Sequence, residues 1–290
     1  MNIITIIHNQ STNLIRILDA YDNQSIQPIK YIFVLDRCSD NSIEFISNFS
    51  KNHNSIIVEI NEGNGFQAGR CRDIGLSHID NDYPVLFLDG DCVPTPKLFE
   101  EFQKLLSRNK EIIVVGRRIH EKEFGQDFDD DARVHVPWFH DKIFISGQNN
   151  LVKEMIICKG SGLTWSCCLG FNNSAIMKIK NIINDLHNVY RLFSPAFDGC
   201  YGGEDDFIGH IAMLFGIDVI GLDPIHNVQH IWHKSREPQN NFTEIVAAEF
   251  KKLSEIAMKN NAPGIKYITA SFSEYVQNFV THFKSSIFSK

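Results

Sequence analysis

The sequence predicts an α/β protein: a mostly parallel central sheet flanked by helices, with a helical extension at the C-terminal end. Three observations carry that expectation. Apolar strand-like runs alternate with amphipathic stretches through the first 90 residues, at the spacing of strand, crossover helix and parallel strand. Three of the runs lead into polar residues, at His8-Asn9, Asp36 and Asp89-Gly90-Asp91, and in a parallel sheet such ends line one ligand-binding rim. The last apolar stripes, beyond residue 236, have helical spacing.

Ile3-Ile4-Thr5-Ile6-Ile7 is the first strand. Leu14, Ile17, Leu18 and Tyr21 form the buried face of a helix with Ser11 or Thr12 as its cap. The second strand is Tyr31 to Leu35, and the helix after it opens at Asp40 or Ser39 and turns Ile43, Ile46 and Phe49 to one side. A third strand, Ser55 to Ile60, leads through a loop with Gly63 and Gly65 into a helix from Ala68 to about His78. Val85 to Leu88 is the fourth strand. After Pro94 and Pro96, Leu98, Phe99, Phe102, Leu105 and Leu106 mark a helix, and Ile112 to Val115 a strand running into Gly116-Arg117-Arg118.

Residues 121 to 141 are rich in acids and aromatics without a clear period. A solvated acidic loop is the plain reading, a substrate-covering segment the functional one. Phe242, Ile245, Val246, Leu253, Ile256 and Ala257 form one C-terminal stripe, and Ile268 to Ile287 carries a second, strongly aromatic one beyond Pro263-Gly264. The second stripe is expected to pack on the protein's own domain or a partner subunit, with peripheral contact at the inner face of a membrane as the alternative.

With 43% hydrophobic residues, 22 of the 290 being Phe, the chain can bury a sizeable core. A net charge of −7 argues against a nucleic-acid partner, which would need a basic stripe to neutralise phosphates. The seven cysteines form no paired C-x-x-C framework, so they read as buried free thiols in a reducing compartment. No run approaches the ~20 apolar residues of a membrane span, and the N-terminus enters a strand without a leader pattern. The expected location is cytoplasmic.

Two acidic clusters point to chemistry. Asp89 and Asp91, one residue apart at the end of a wholly apolar strand, present two carboxylates to a divalent cation or let one of them orient a ribose hydroxyl. Gly90 between them permits close approach of the backbone to a ligand. Gly202-Gly203-Glu204-Asp205-Asp206 precedes a helical pattern. Acids there satisfy the helix dipole in the structural account, and supply a general base for an acceptor hydroxyl in the functional one. His230 and His233 are both available as an imidazole ligand, or as ordinary hydrogen-bonded residues.

In this order and spacing, Ile3 to Asn9, Val34 to Asp40, Gly69 to Gly75 and Phe87-Leu88-Asp89-Gly90-Asp91 resemble the GT-A fold (Rossmann-like) glycosyltransferases. The likeness is to the large inverting group that uses nucleotide-diphosphate sugars. Tyr201 to Phe207 with Val228-Gln229-His230 is similar to the β-1,4-galactosyltransferase and polypeptide N-acetylgalactosaminyltransferase branch. The resemblance implies a catalytic domain over residues 1–235, with a nucleotide-sugar half at 1–115 and an acceptor half at 116–235, followed by a helical extension at 236–290.

It also implies roles. Asp36 meets the nucleobase or ribose, Asp89 the ribose or a metal-bound water, Arg72 lies near the diphosphate, and His8 and Asn9 belong to the same nucleotide-sugar site. Asp91 and His230, with Asp89 beside them, hold Mn²⁺ or Mg²⁺. Glu204 holds the acceptor sugar and Asp205 is the base. The implied co-substrate is a UDP-sugar, and the acceptor a glycan, a lipid-linked glycan or a protein. Tyr201 stands where the galactosyltransferases carry Trp, which changes the acceptor contact. The competing expectations are a two-metal phosphoesterase and a non-catalytic nucleotide-sugar binding module.

Overall fold

The computed structural model describes residues 1–108, 110–121, 128–130, 141–148, 151–157, 164, 167–223, 225–231 and 242–265. The first half follows the βαβ pattern: β1 (Asn2–Ile7), α1 (Ser11–Asp22), β2 (Lys30–Asp36), α2 (Ser42–Ser50), β3 (Ser55–Ile60), α3 (Ala68–Leu76) and β4 (Val85–Asp89). Each expected strand and helix is present within a few residues. β1 lies between β2 and β4, β3 pairs with β2, and all these pairings are parallel. The strands are apolar almost throughout because both faces are covered. Ile4, Ile32, Val34 and Phe87 face one core, while Ile3, Tyr31, Phe33 and Leu86 face the other. That alternation makes three layers, and each fully buried Leu, Ile or Phe contributes roughly 1.5–3 kcal/mol.

The chain continues through β5 (Cys92–Pro94), α4 (Leu98–Leu106), β6 (Ile112–Val115), β7 (Arg117–Glu121), β8 (Phe128–Asp130), β9 (Asp141–Gln148), β10 (Leu151–Ile157), β11 (Cys168–Phe171) and α5 (Asn173–His187). After a short 3₁₀ turn at Pro195–Phe197 come α6 (Glu204–Phe215), β12 (Asp218–Gly221), β13 (Asn227–His230) and α7 (Phe242–Lys259). Among the described residues the main sheet has nine strands in the order β10-β9-β12-β6-β11-β4-β1-β2-β3, and a second sheet has four, β5-β13-β7-β8. β11 enters antiparallel to both its neighbours, as β10 does to β9.

Several local expectations are corrected. Ser11 and Thr12 do not cap α1, because Ser11 is already the first helical residue. The Asp40 carboxylate instead serves both helix starts, accepting from the Ser11 N–H at 2.8 Å and the Ser42 N–H at 3.1 Å. Ile43 is exposed, and Ser42 shares the buried face of α2 with Ile46 and Phe49. The 121–141 segment is not all loop, since Phe128–Asp130 pairs antiparallel with β7; residues 122–127 and 131–140 lie outside the described residues. In α7, Val246, Phe250, Leu253 and Ala257 belong to the core shared with α5 and α6. The aromatic stripe from Ile268 to Ile287 lies outside the described residues, as does His233. The six described cysteines are free thiols, five of them buried, as expected.

Asp40 gives a pH-dependent prediction. Burial alone would raise its pKa, but bonds from Ser42 and Ser11 outweigh that and bring it from 3.8 down to about 2. A depressed folded-state pKa contributes stability that is complete above the unfolded value and is lost as pH falls through the folded one. In urea titrations, Asp40→Ala is expected to cost about 1 kcal/mol at pH 7, with the gap to wild type closing between pH 4 and pH 2. A gap that stays constant to pH 2 contradicts the shared cap.

Candidate active site

The carboxyl ends of β1, β2 and β4 open into a cleft of about 380 Å³, in the range of small-molecule sites. His8, Asn9, Asp36, Asp89, Gly90 and Asp91 all line it, so three separated segments meet on one rim. Each is held by the sheet next to it. His8 Nδ1 is 2.6 Å from the Asp36 carbonyl oxygen, and Asn9, at φ 52°, accepts from the Ser39 N–H at 2.8 Å. Gly90 donates to the Ile6 carbonyl at 2.9 Å. A Cβ on Gly90 would lie 2.7 Å from that oxygen, so the close approach that requires glycine is to β1.

Asp36 is clamped by its neighbour. Arg37 gives Nε to Oδ1 at 2.7 Å and Nη2 to Oδ2 at 2.8 Å, and also donates to the carbonyls of Gly63 at 3.0 Å and Gly65 at 2.6 Å. Those glycines sit at φ +117° and +68°, backbone that other residues rarely adopt. Arg37 therefore ties the strand-end acid to the glycine loop. The loop ends at Phe66, which meets Tyr201 edge-on at 5.1 Å, both lining the cleft. Sequence reasoning missed Arg37 and Phe66. The available signal was an Asp-Arg pair at a strand end followed by a Gly-x-Gly loop.

At the other end of the cleft, β13 pairs antiparallel with β5 and sets His230 opposite Cys92. The Ile231 N–H donates to the Asp91 carbonyl at 2.8 Å, and His230 Nε2 stands 3.5 Å from Asp91 Oδ2. Two residues 139 positions apart thus present one carboxylate and one imidazole side by side. An oxygen and a nitrogen donor so placed fit a divalent first-row cation such as Mn²⁺. Among the described residues no group of three His, Cys, Asp or Glu is disposed to hold a metal ion.

Arg72, expected near the diphosphate, lies beneath the cleft and is 1% exposed. Its Nη2 donates to Asp89 at 2.7 Å and its Nη1 to Glu204 at 3.0 Å. Cys71, the preceding residue of α3, lines the cleft instead. Burial alone would lower the guanidinium pKa, but Asp89 and Glu204 hold it above its ordinary value, so it stays charged.

Gly202 and Gly203, at φ +85° and +93°, turn the chain into α6 with three acids in its first turn. The acids differ in access. Glu204 is 4% exposed, and burial followed by the charge of Asp205 raises its pKa to about 7 against the pull of Arg72. Asp206 is 8% exposed, and burial pushes its pKa well above the ordinary carboxyl value. Asp205 alone of the three is half-exposed. Its carbonyl accepts from Thr164 Oγ1 at 2.5 Å, and its Oδ1 accepts from the Asp206 N–H at 2.9 Å. Asn172, in the small polar segment before α5, is a helix cap whose side chain accepts from the Ala175 N–H.

Residues 2–179 match the family described as Glycosyl transferase family 2. No curated protein matches the chain. Among solved structures, S. aureus TarS 1-349 in complex with UDP-GlcNAc superposes with a TM-score of 0.61 at 13% identity, covering 90% of this chain and 67% of that one. GalNAc-T7 with UDP, GalNAc and Mn²⁺ superposes with a TM-score of 0.63 at 12% identity, covering 96% of this chain and 58% of that one. At such identities the likeness is one of fold, and the fold they share is GT-A. Among the described residues no helix is long and apolar enough to cross a membrane.

Proposed function

Because the chain belongs to glycosyl transferase family 2, we propose that it transfers a sugar, with inversion, from a UDP-hexose such as UDP-Gal or UDP-GalNAc to a hydroxyl. The acceptor class is a glycan, a lipid-linked glycan or a protein. The observation that supports this most is the meeting of Asp91 with His230 on the same cleft as Asp36 and Asp89. A nucleoside diphosphate needs a base site, a ribose contact and a cation site in a row. UDP accompanies both TarS and GalNAc-T7 in their structures, and Mn²⁺ accompanies GalNAc-T7. Residues 1–115 would carry the donor and 116–235 the acceptor side, with 236–290 as an extension.

In this reading His8, Asn9 and Asp36 orient the base and ribose, and Asp89 takes a ribose hydroxyl. Asp91 and His230 would hold Mn²⁺, which when bound neutralises the charge of the departing diphosphate. Asp205 is the general base. Its carboxylate takes the proton of the acceptor hydroxyl as that oxygen bonds to the anomeric carbon and the bond from that carbon to the diphosphate breaks. The transition state is oxocarbenium-like, and a single displacement turns an α-linked donor into a β-glycoside.

The test is product analysis. The chain, Mn²⁺ and each of UDP-Gal, UDP-GalNAc, UDP-Glc and UDP-GlcNAc are incubated with a glycan array, and the anomeric coupling of any product is read by NMR. A β-glycoside from one donor is expected. An α-glycoside contradicts the single displacement, and release of UMP and sugar 1-phosphate without glycoside favours the phosphoesterase alternative.

A further inference from the structure

The Arg72 side chain joins two acids that the fold brings from far apart. Asp89 ends β4 and lines the donor cleft, whereas Glu204 begins α6, next to Asp205. They are 115 residues apart in sequence, and one guanidinium bonds both. Its position is set from a third element, α3, with the Phe193 ring 5.6 Å from the guanidinium carbon. Burying a cation and two carboxylates is a poor route to stability, because desolvation offsets most of the attraction and apolar residues of equal volume often do as well. The fork geometry instead fixes where two carboxylates stand relative to one another.

We infer that Arg72 is a positioning residue that couples donor binding at Asp89 to the placement of the α6 N-terminus, and with it the base Asp205. The inference rests on the proposed donor site. Asp89 is about a quarter exposed and Glu204 nearly closed off, so a ribose hydroxyl meets Asp89 first. When that hydroxyl shares Asp89, the guanidinium turns more fully to Glu204 and draws the first turn of α6 inward. Donor occupancy is thereby reported to the acceptor side before an acceptor arrives.

Hydrogen exchange at the α6 amides of residues 207–211, read with and without UDP and Mn²⁺, tests the coupling, with UDP binding followed in parallel by calorimetry. These amides belong to the helix body, beyond the cleft-lining Tyr201. In wild type, UDP with Mn²⁺ is expected to slow their exchange at least about fivefold, the low end of ordinary coupling. In Arg72→Lys, whose single ammonium nitrogen replaces the rigid planar fork, UDP should still give heat of binding while the slowing falls below about twofold. Glu204→Gln, which leaves Arg72 and the cleft lining in place, should lose the slowing in the same way and covers the case of an Arg72→Lys chain that does not fold. A variant that binds UDP and keeps the wild-type slowing overturns the inference, as does a wild-type chain that binds UDP without any slowing. A wild-type chain with no heat of UDP binding overturns the donor site itself, which is a distinct result.

Discussion

Asp205→Asn is expected to lower kcat by about 10³-fold, within the 10²–10⁴ that a positioned general base supplies, while leaving the Kd for UDP and Mn²⁺ within about twofold. The reason lies in the first turn of α6. Three acids share it, but Glu204 and Asp206 are buried, whereas Asp205 is half-exposed at the turn made by Gly202 and Gly203. Asparagine keeps the shape and the bond to the Asp206 N–H but cannot take a proton. Asp206→Asn should be nearly neutral for kcat, because burial keeps its carboxyl from an acceptor hydroxyl. Single-turnover rates with saturating donor make the measurement. An Asp205→Asn enzyme with wild-type kcat would remove the residue from the chemistry.

Asp91→Ala is expected to weaken Mn²⁺ binding in the presence of UDP by about 100-fold or more, at or beyond the upper end of what outer-shell changes cost at metal sites. Asp91, in the turn between β4 and β5, and His230, at the end of β13, stand 3.5 Å apart, and the Ile231 N–H bond to the Asp91 carbonyl holds the backbone of one to the other. Removing the carboxylate leaves His230 without a charged co-ligand. His230→Ala should show a smaller loss, since a neutral imidazole adds less than a carboxylate to the attraction for a hard cation. Electron paramagnetic resonance of free Mn²⁺ during titration reads both. Equal Mn²⁺ affinity in wild type and Asp91→Ala contradicts the assignment.

The first half of the chain was legible because its strands are continuous apolar runs buried on both faces, with polar residues where each leaves the sheet. Ile3 to Ile7, Tyr31 to Leu35 and Val85 to Leu88 needed no other information, and the rim formed by His8, Asp36 and Asp89 followed from parallel topology. The four residues of β11 and of β12 are too short for a period to be read, and β11 runs against its neighbours, which a βαβ reading does not anticipate. The nearness of Asp91 and His230 entered through family resemblance, since spacing alone left His233 equal to it. Arg72 entered only through the resemblance, and its pairing depends on Glu204, 132 residues away. Only the folded chain shows that the cation is buried between the two acids.

The cleft is expected to bind a nucleoside diphosphate together with a divalent cation. Thermal unfolding with UDP, GDP or CMP, each with Mn²⁺ or with EDTA, on wild type and Asp91→Ala, tests it most directly. A ligand that binds only the folded state stabilises it by about 2.7 kcal/mol at a hundredfold excess over its Kd. The expected result is a rise in Tm with UDP and Mn²⁺ that EDTA removes and that Asp91→Ala does not show. No rise with any of the three nucleotides, in a wild-type chain that unfolds cooperatively, would contradict the donor site.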